Sequence, residues 1–373
     1  MKELIEILGR YRDIRRQGEA AVLATVVRVE GSAYRGPGAR MLWTPQGGAT
    51  GFLSGGCLEG DVAEHAVEVA QSGEPRLVRY DMTSPDDILW GLGMGCDGIV
   101  DVLIESVPPA RGPDALDFID RSIAGRHHAV AALTCQQQGQ IALGCKLLLR
   151  QDGTLQSDLP QGPHRQRIEA EARQALQSRK SRQVEIEEEG TDLPVFIEHI
   201  APPLHLMIFG AGHDAVPLAD AASRLGWSVS VIDHRPAFAK AERFPSADRV
   251  ECLHPQEADD QIRPGPDCAA VVMTHNFPKD VEWMAWLLPS EVPYIGLLGP
   301  RARTDNLLDD LEKQGQQPSQ QQLARLYGPV GLDIGADSPQ EIALSILAEI
   351  RTVLSGRGAG FLRERPGPIN DRP

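Results

Sequence analysis

The sequence lacks any apolar run near the roughly 18 residues that a membrane-spanning helix requires. Its first 19 residues, MKELIEILGRYRDIRRQGE, form a charged amphipathic pattern without the apolar stretch of a secretory signal peptide. These two absences predict a cytoplasmic protein that has no membrane partner.

An excess of positive charge is also missing. The chain has 37 basic and 52 acidic residues, and its formal net charge is -15. Such a chain exerts no general attraction on nucleic acid or on an anionic membrane surface. We therefore expect no nucleic-acid partner.

Paired cysteine motifs are absent as well, because none of the six cysteines forms a CxxC sequence. Their spacing argues against a zinc ribbon, and in a reducing compartment they are expected to be thiols. No internal repeat is found. The length of 373 residues is sufficient for two domains, each with its own core.

A β-α-β pattern is present at residues 206–233, LMIFGAGHDAVPLADAASRLGWSVSVID. Gly210 permits a sharp turn after the first strand, and Gly212 lets the backbone approach a phosphate at the helix start. Ala215 stands in place of the third glycine of the motif. Asp233 is placed to accept hydrogen bonds from a ribose diol. The pattern predicts a Rossmann-type domain, whose crevice either binds a nucleotide or is empty or reused.

The expected fold class is α/β, with an N-terminal α+β domain over residues 1–200 and a C-terminal Rossmann-like, doubly wound parallel sheet over 204–355. The segment 201–203, Ala-Pro-Pro, is the predicted hinge, and residues 356–373 are expected to form a flexible tail. Predicted helices cover 2–17, 114–124, 165–177, 279–288, 301–314 and 339–354. Predicted strands cover 20–29, 41–43, 99–104, 128–134, 141–149, 195–200, 269–274 and 294–298.

Two cysteines lie in glycine-rich turns of the first domain. Cys57 follows Ser54, Gly55 and Gly56 and precedes a predicted helix, where backbone amides would stabilise a thiolate or hold an anionic group. Cys96 lies in the sequence GLGMGCDG. Together the two sulfurs could contact a metal, a sulfur atom or a reactive ligand. The alternative is that each is a small buried residue.

The four remaining cysteines have strand-like surroundings, so core packing is the better interpretation for them: Cys135, Cys145, Cys252 and Cys268.

Two histidines are placed at the predicted crevice. His213 lies in the glycine turn, and His275 follows the strand 269–274, so both could contact a phosphate or take part in proton transfer. Capping or core-lining roles are equally compatible with these positions. Arg301 and Arg303 could bind an anion at the next strand end. Packing explains the tryptophans of the helix 279–288 better than ligand stacking does.

Several stretches resemble the XdhC/CoxF family. ATVVRVEGSAYRGPGARML, FLSGGCLEGDVAEHA and WGLGMGCDG resemble its N-terminal domain. HLMIFGAGH, VIDHRPAFA, VVMTHN, YIGLLGPRAR and PVGLDIGADSPQEIALSILAEI resemble its C-terminal Rossmann domain. The resemblance is loose over residues 106–200.

The resemblance implies a non-catalytic chaperone of the molybdenum cofactor, molybdopterin. Such a protein holds the cofactor, supports its sulfuration by a cysteine desulfurase and passes it to an apo-molybdoenzyme of the xanthine dehydrogenase class. The family also implies a homodimer. Its motifs fall here on residues 54–59, on Gly95 and Cys96, on residues 210–213 and on Asp233.

The chain departs from the family pattern at Asp97, Ala215 and Phe277, where a glycine, a glycine and often a histidine are usual. The substitution at Phe277 weakens any metal or acid-base role for the region of His275. Two other hypotheses stay open: an NAD(P)-dependent oxidoreductase that uses the glycine turn, and a regulatory module that senses a nucleotide or redox state.

Overall fold

A computed structural model describes residues 1–82, 98–188 and 190–366 of the protein. The chain divides between Pro202 and Pro203 into two compact units. The N-terminal unit contains helices and antiparallel sheets, and the C-terminal unit contains a parallel sheet. The predicted α/β class, with a Rossmann-like second half, is thereby confirmed.

The N-terminal part combines helices with strands. They are α1 (Lys2–Gln17), β1 (Ala21–Gly31), β2 (Arg40–Thr44), β3 (Gly48–Gly51), α2 (Glu59–Ser72), β4 (Arg76–Asp81), β5 (Gly98–Val107), α3 (Ala115–Ala124), β6 (Ala129–Thr134), β7 (Lys146–Arg150), β8 (Leu155–Ser157), α4 (Pro163–Ser178), β9 (Arg182–Glu188) and β10 (Thr191–Ile200).

These strands form two five-stranded antiparallel sheets, in the orders β3-β2-β1-β5-β4 and β8-β7-β6-β10-β9. Helix α2 packs on the first sheet through its buried stripe of Val62, Ala66 and Val69, which follows the helical period. It ends at Gly73, whose φ of 71° suits the left-handed conformation common after helices. The helix that the sequence predicts after Cys57 is therefore present.

Strands β4 and β9 do not appear among the predicted elements. Both lie at a sheet edge, and about half of the residues in their sequences, RLVRYD and RQVEIEE, are charged. Edge strands tolerate such charges because one side of the ladder faces solvent, and the charges discourage pairing with other chains. The hydrophobic pattern used for prediction is correspondingly weak there.

The second unit follows the order expected of a doubly wound fold. Its elements are β11 (His205–Phe209), α5 (Ala215–Arg224), β12 (Ser228–Asp233), β13 (Arg249–Cys252), α6 (Ala258–Gln261), β14 (Cys268–Val272), α7 (Phe277–Leu287), β15 (Ile295–Leu297), α8 (Arg301–Lys313), α9 (Gln320–Leu323), β16 (Leu326–Tyr327) and α10 (Pro339–Ser355).

Its six parallel strands have the order β13-β12-β11-β14-β15-β16, which is 3-2-1-4-5-6 when counted within the unit. Helices α5 and α10 cover one face, whereas α7 and α8 cover the other. The strand order reverses between β11 and β14, and the carboxyl ends of these two strands form the crevice in which such folds bind ligands.

Among the residues with described structure, no helix has the length and apolar character needed to cross a bilayer.

Candidate functional site

The first candidate site is the turn of residues 53–59, which we call the thiol turn. It joins β3 to α2 and carries Cys57, whose side chain is exposed. A Cβ built at Gly55 or Gly56 would meet no atom within 4 Å, so open space surrounds the turn. The sulfur is therefore accessible, as its predicted role requires.

Ser54 organises the amides of the thiol turn. Its Oγ accepts hydrogen bonds from the amides of Gly56, Cys57 and Leu58 at 3.0–3.2 Å. The same hydroxyl donates to Glu59 Oε2 at 2.6 Å. One side chain thus fixes the backbone on both sides of the thiol.

Glu59 accepts further hydrogen bonds within the thiol turn. Its carboxylate accepts from the amides of Leu53, Ser54 and Leu58 at 2.8–3.1 Å. Burial tends to raise the pKa of Glu59, but the hydrogen bonds from Ser54 and the backbone outweigh it and hold that pKa below its ordinary value. In this structure the amides of Gly56, Cys57 and Leu58 donate to Ser54 and Glu59 and do not face the thiolate. Binding of an anionic ligand at this turn stays a prediction.

We expect Glu59→Ala to lower the free energy of unfolding of the N-terminal unit by about 1 kcal/mol, since the turn loses several charge-assisted hydrogen bonds. A carboxyl with a depressed folded-state pKa stabilises the fold above its unfolded pKa. The difference from wild type should therefore persist from pH 8 to about pH 5 and shrink at lower pH.

Denaturant titrations at several pH values measure this difference. Glu64→Ala, at an exposed position of the same helix, is the matched control. Equal effects of the two substitutions at neutral pH would show that Glu59 does not hold the turn.

The second cysteine motif falls outside the described residues, and so does Cys96. The residues that flank it, Met82 and Gly98, are described. Met82 packs in the same hydrophobic cluster as Leu53 and Leu58 of the thiol turn. Near this point Tyr80 donates a hydrogen bond of 2.6 Å to Asp61 at the start of α2. The end of β4 at Tyr80 thus lies next to the start of α2.

The other described thiols differ in their exposure to solvent. Cys145 and Cys268 are buried and Cys135 is largely buried, and burial raises the pKa of the Cys135 thiol to about 12. The prediction of core packing is wrong for Cys252, which is exposed because β13 is an edge strand. Within the described ranges, no group of three or more His, Cys, Asp or Glu residues could hold a metal ion.

The second candidate site is the turn of residues 210–214, which we call the glycine turn. It follows β11 at the carboxyl edge of the parallel sheet. Gly210 has a φ of 122°, and a Cβ there would lie 2.4 Å from Met273 O. Glycine is required because β14 approaches closely at this point.

His275 follows β14 across the crevice from the glycine turn. Its Nε2 lies 2.7 Å from Asp214 Oδ2, and its side chain is 60% exposed. His275 has a φ of 55°, in the left-handed region. His213, the residue before Asp214, is exposed. The structure thus brings His213 and His275 to one crevice and adds Asp214, which the sequence does not single out.

The Asp233 carboxylate is not exposed to accept hydrogen bonds from a ribose diol. Its side chain has no exposed surface and accepts from the Ala211 amide at 2.7 Å and from the Arg235 side chain at 2.7 and 2.9 Å. Burial tends to raise the Asp233 pKa, but these hydrogen bonds hold it below its ordinary value. In this structure the Asp233 carboxylate links the glycine turn to Arg235 through hydrogen bonds. An arginine two residues after the acid is the sequence signal that could have indicated this.

Arg303 is engaged in a similar way. It donates to Asp280 Oδ2, and the Thr274 hydroxyl donates to Asp280 Oδ1 at 2.5 Å, so the expectation of a free anion-binding Arg303 is wrong. Arg301 is exposed at the start of α8. Trp283 is fully buried against Phe209, as packing predicts.

The described residues thus provide an accessible thiol on a hydrogen-bonded turn and a Rossmann unit with a polar crevice. Comparison with known proteins identifies the family in which these features occur. The model of the XdhC Rossmann domain matches residues 206–350, and the model of the XdhC and CoxI family matches residues 14–81. The chain belongs to the XdhC and CoxI family, which confirms the resemblance seen in the sequence.

Two relatives extend the match over most of the chain. A Bacillus subtilis protein, named as a probable subunit of xanthine dehydrogenase, is 36% identical over 339 residues, which cover 89% of this chain and 92% of that protein. The Escherichia coli protein "Molybdenum cofactor insertion chaperone PaoD" is 25% identical over 338 residues, 90% and 84% of the two chains.

A solved structure is also similar. The crystal structure of a xanthine dehydrogenase from Bacillus halodurans has a TM-score of 0.75 and 32% identity to this chain. The similarity covers 96% of this chain and 98% of that one.

Proposed function

We propose that this protein acts in the cytoplasm as an accessory protein for the molybdenum cofactor. In this proposal it holds the cofactor, supports its sulfuration and inserts it into a molybdoenzyme of the xanthine dehydrogenase class. The observation that carries the proposal is the exposed Cys57 on a rigid turn of an XdhC-family chain. The names of the B. subtilis and E. coli relatives support the same role.

The chemistry of the thiol turn suits such cargo. A sulfur ligand matches the soft molybdenum-dithiolene end of the cofactor better than an oxygen ligand does. Ser54 and Glu59 hold the turn, so little ordering is required when cargo binds. Cys57, with Ser54, Gly55 and Gly56, would form this contact, and Cys96 is proposed as the second sulfur.

The test is the amount of pterin that co-purifies with the full chain from cells that make the cofactor. We expect Cys57→Ala to reduce it by about tenfold or more, a loss typical of a damaged metal site. Cys252→Ala removes another exposed thiol, from the other unit, and should not change the pterin content.

The double variant Cys57→Ala/Cys96→Ala is expected to retain no more pterin than Cys57→Ala alone. Wild-type pterin content in the double variant would rule out the thiols as cargo ligands.

The proposed partners are an apo-molybdoenzyme and a cysteine desulfurase, and the proposed assembly is a homodimer. Capture of purified apoenzyme, scored by its activity with and without sulfuration, tests the first two. Sedimentation of the purified chain measures the third.

The competing hypothesis, which would contradict the inference drawn below, is a nucleotide in the Rossmann crevice, either for an oxidoreductase or for a regulatory module. The glycine turn between β11 and α5 favours it. Calorimetry with NAD and NADP tests it, and micromolar binding would support it.

A further inference from the structure

The glycine turn carries a carboxylate at its centre. Asp214 directly precedes α5, a helix of ten residues, at the place where a Rossmann turn presents its amides to a phosphate. Its side chain is only 17% exposed, so it lies within the turn and does not extend into solvent.

The position of its oxygen is given by Gly212. In a dinucleotide-binding turn the second glycine lacks a Cβ so that the backbone can approach the pyrophosphate. Here a Cβ built at Gly212 would lie 2.4 Å from Asp214 Oδ1. The space that this glycine leaves open is therefore filled by the protein's own carboxylate.

His275 holds the carboxylate there. Its imidazole is paired with Asp214 Oδ2, and the same ring lies 3.6 Å from the Cβ position of Gly212. The backbone beside His275 is fixed on both sides, because the Asn276 amide donates to Thr274 Oγ1 and Thr274 is bonded to buried Asp280. Asp214 is thus restrained from a second loop.

The charges around the turn would otherwise favour an anion. Arg243 donates to the carbonyl of Ala211 at 2.6 Å, and the amino end of α5 points at the turn. Asp233, at the position of the motif's ribose-binding acid, is also unavailable to a ligand, because both of its oxygens accept hydrogen bonds from Arg235 and the Ala211 amide.

We propose that Asp214 takes the place of a nucleotide phosphate and determines the ligand specificity of the crevice. The carboxylate repels phosphates and fills the space next to Gly212, so the turn does not bind dinucleotides although it has the motif. This inference is independent of the cargo proposed for the thiol turn.

The experiment is calorimetry of the full chain with NAD, NADP and inorganic pyrophosphate. Wild type should bind none of them at millimolar concentration. Asp214→Ala, which empties the space and removes the charge, should gain affinity for NAD by about tenfold or more. Asp214→Asn, which removes only the charge, should gain less for NAD but should bind pyrophosphate.

Two controls separate this effect from general changes in charge or folding. Asp305→Asn removes an exposed acid on α8 and should not gain binding. His275→Ala frees Asp214 but keeps its charge, and should not gain binding either. Circular dichroism confirms that each variant is folded.

Binding of NAD by wild type within threefold of the affinity of Asp214→Ala would overturn the inference. So would the absence of binding by both Asp214 variants in folded form. Pterin content of the same variants, measured in parallel, reports on the thiol turn and distinguishes failure of the cargo proposal.

Discussion

Replacing Lys146 by methionine is expected to lower the free energy of unfolding of the N-terminal unit by about 3–5 kcal/mol. Lys146 Nζ lies 2.5 Å from Glu105 Oε2, and the two side chains are only 4% and 8% exposed. The substitution removes the cation and leaves a buried carboxylate without its counter-charge. For a unit of this size the melting temperature should fall by about 6–20 °C.

The pH dependence of this loss in stability shows whether the buried charge of Glu105 causes it. Burial raises the pKa of Glu105 above its ordinary value even with Lys146 present. A group with a raised folded-state pKa stabilises the fold below its unfolded pKa and loses that contribution as the pH rises. The deficit of Lys146→Met should therefore be smaller at pH 5 than at pH 8.

Two further variants make the measurement decisive. Lys180→Met changes an exposed lysine and should shift the free energy of unfolding by less than about 0.5 kcal/mol. Glu105→Gln in the Lys146→Met background should recover much of the loss, because the buried carboxylate that lost Lys146 is then no longer charged. A loss that the second substitution does not reduce would mean that packing of the lysine stem, and not charge, is responsible.

Replacing Arg303 by methionine is expected to destabilise the C-terminal unit by about 3 kcal/mol. Asp280 is 1% exposed, and Arg303 is its charged partner. Without Arg303, Thr274 is the remaining side-chain donor to this carboxylate within the described residues. Because Thr274 also supports the loop that carries His275, the loss should extend to the crevice.

Calorimetric unfolding measures the change in stability, and amide exchange at residues 274–276 measures the loosening of the loop. Arg301→Met is the matched control, since Arg301 lies two residues earlier on α8 and is exposed. Asp280→Asn should partly rescue Arg303→Met. Equal melting of the two arginine variants would contradict the role given to the buried ion pair.

Much of the fold could be predicted because its signals are local. The stripe of α2 and the β-α-β pattern of 206–233 depend on residues a few positions apart, which hydrophobic periodicity reports directly. The edge strands β4 and β9 escaped prediction because their burial is incomplete and their pattern is dominated by charge. Strand β7 begins at Lys146, later than the apolar residues from Ile141 indicate, because a turn precedes it.

The candidate sites were predictable only in part. Cys57 and the glycines of both turns are visible as motifs, and the structure places them on turns at the starts of helices. Their hydrogen-bond partners were not predictable to the same degree. Asp214 and His275 are 61 positions apart, and no sequence pattern indicates that their side chains meet.

The sequence by itself determined the fold class, the family and the positions of the thiol and glycine turns, because periodicity, glycine placement and motif order are properties of neighbouring residues. Only the tertiary structure decided which donors and acceptors are free. Ser54 accepts from the amides beside Cys57, Asp214 fills the space at Gly212, and Lys146 neutralises Glu105. Each of these outcomes depends on where the fold places a polar group relative to its possible partners, because a buried polar group requires a hydrogen-bond partner.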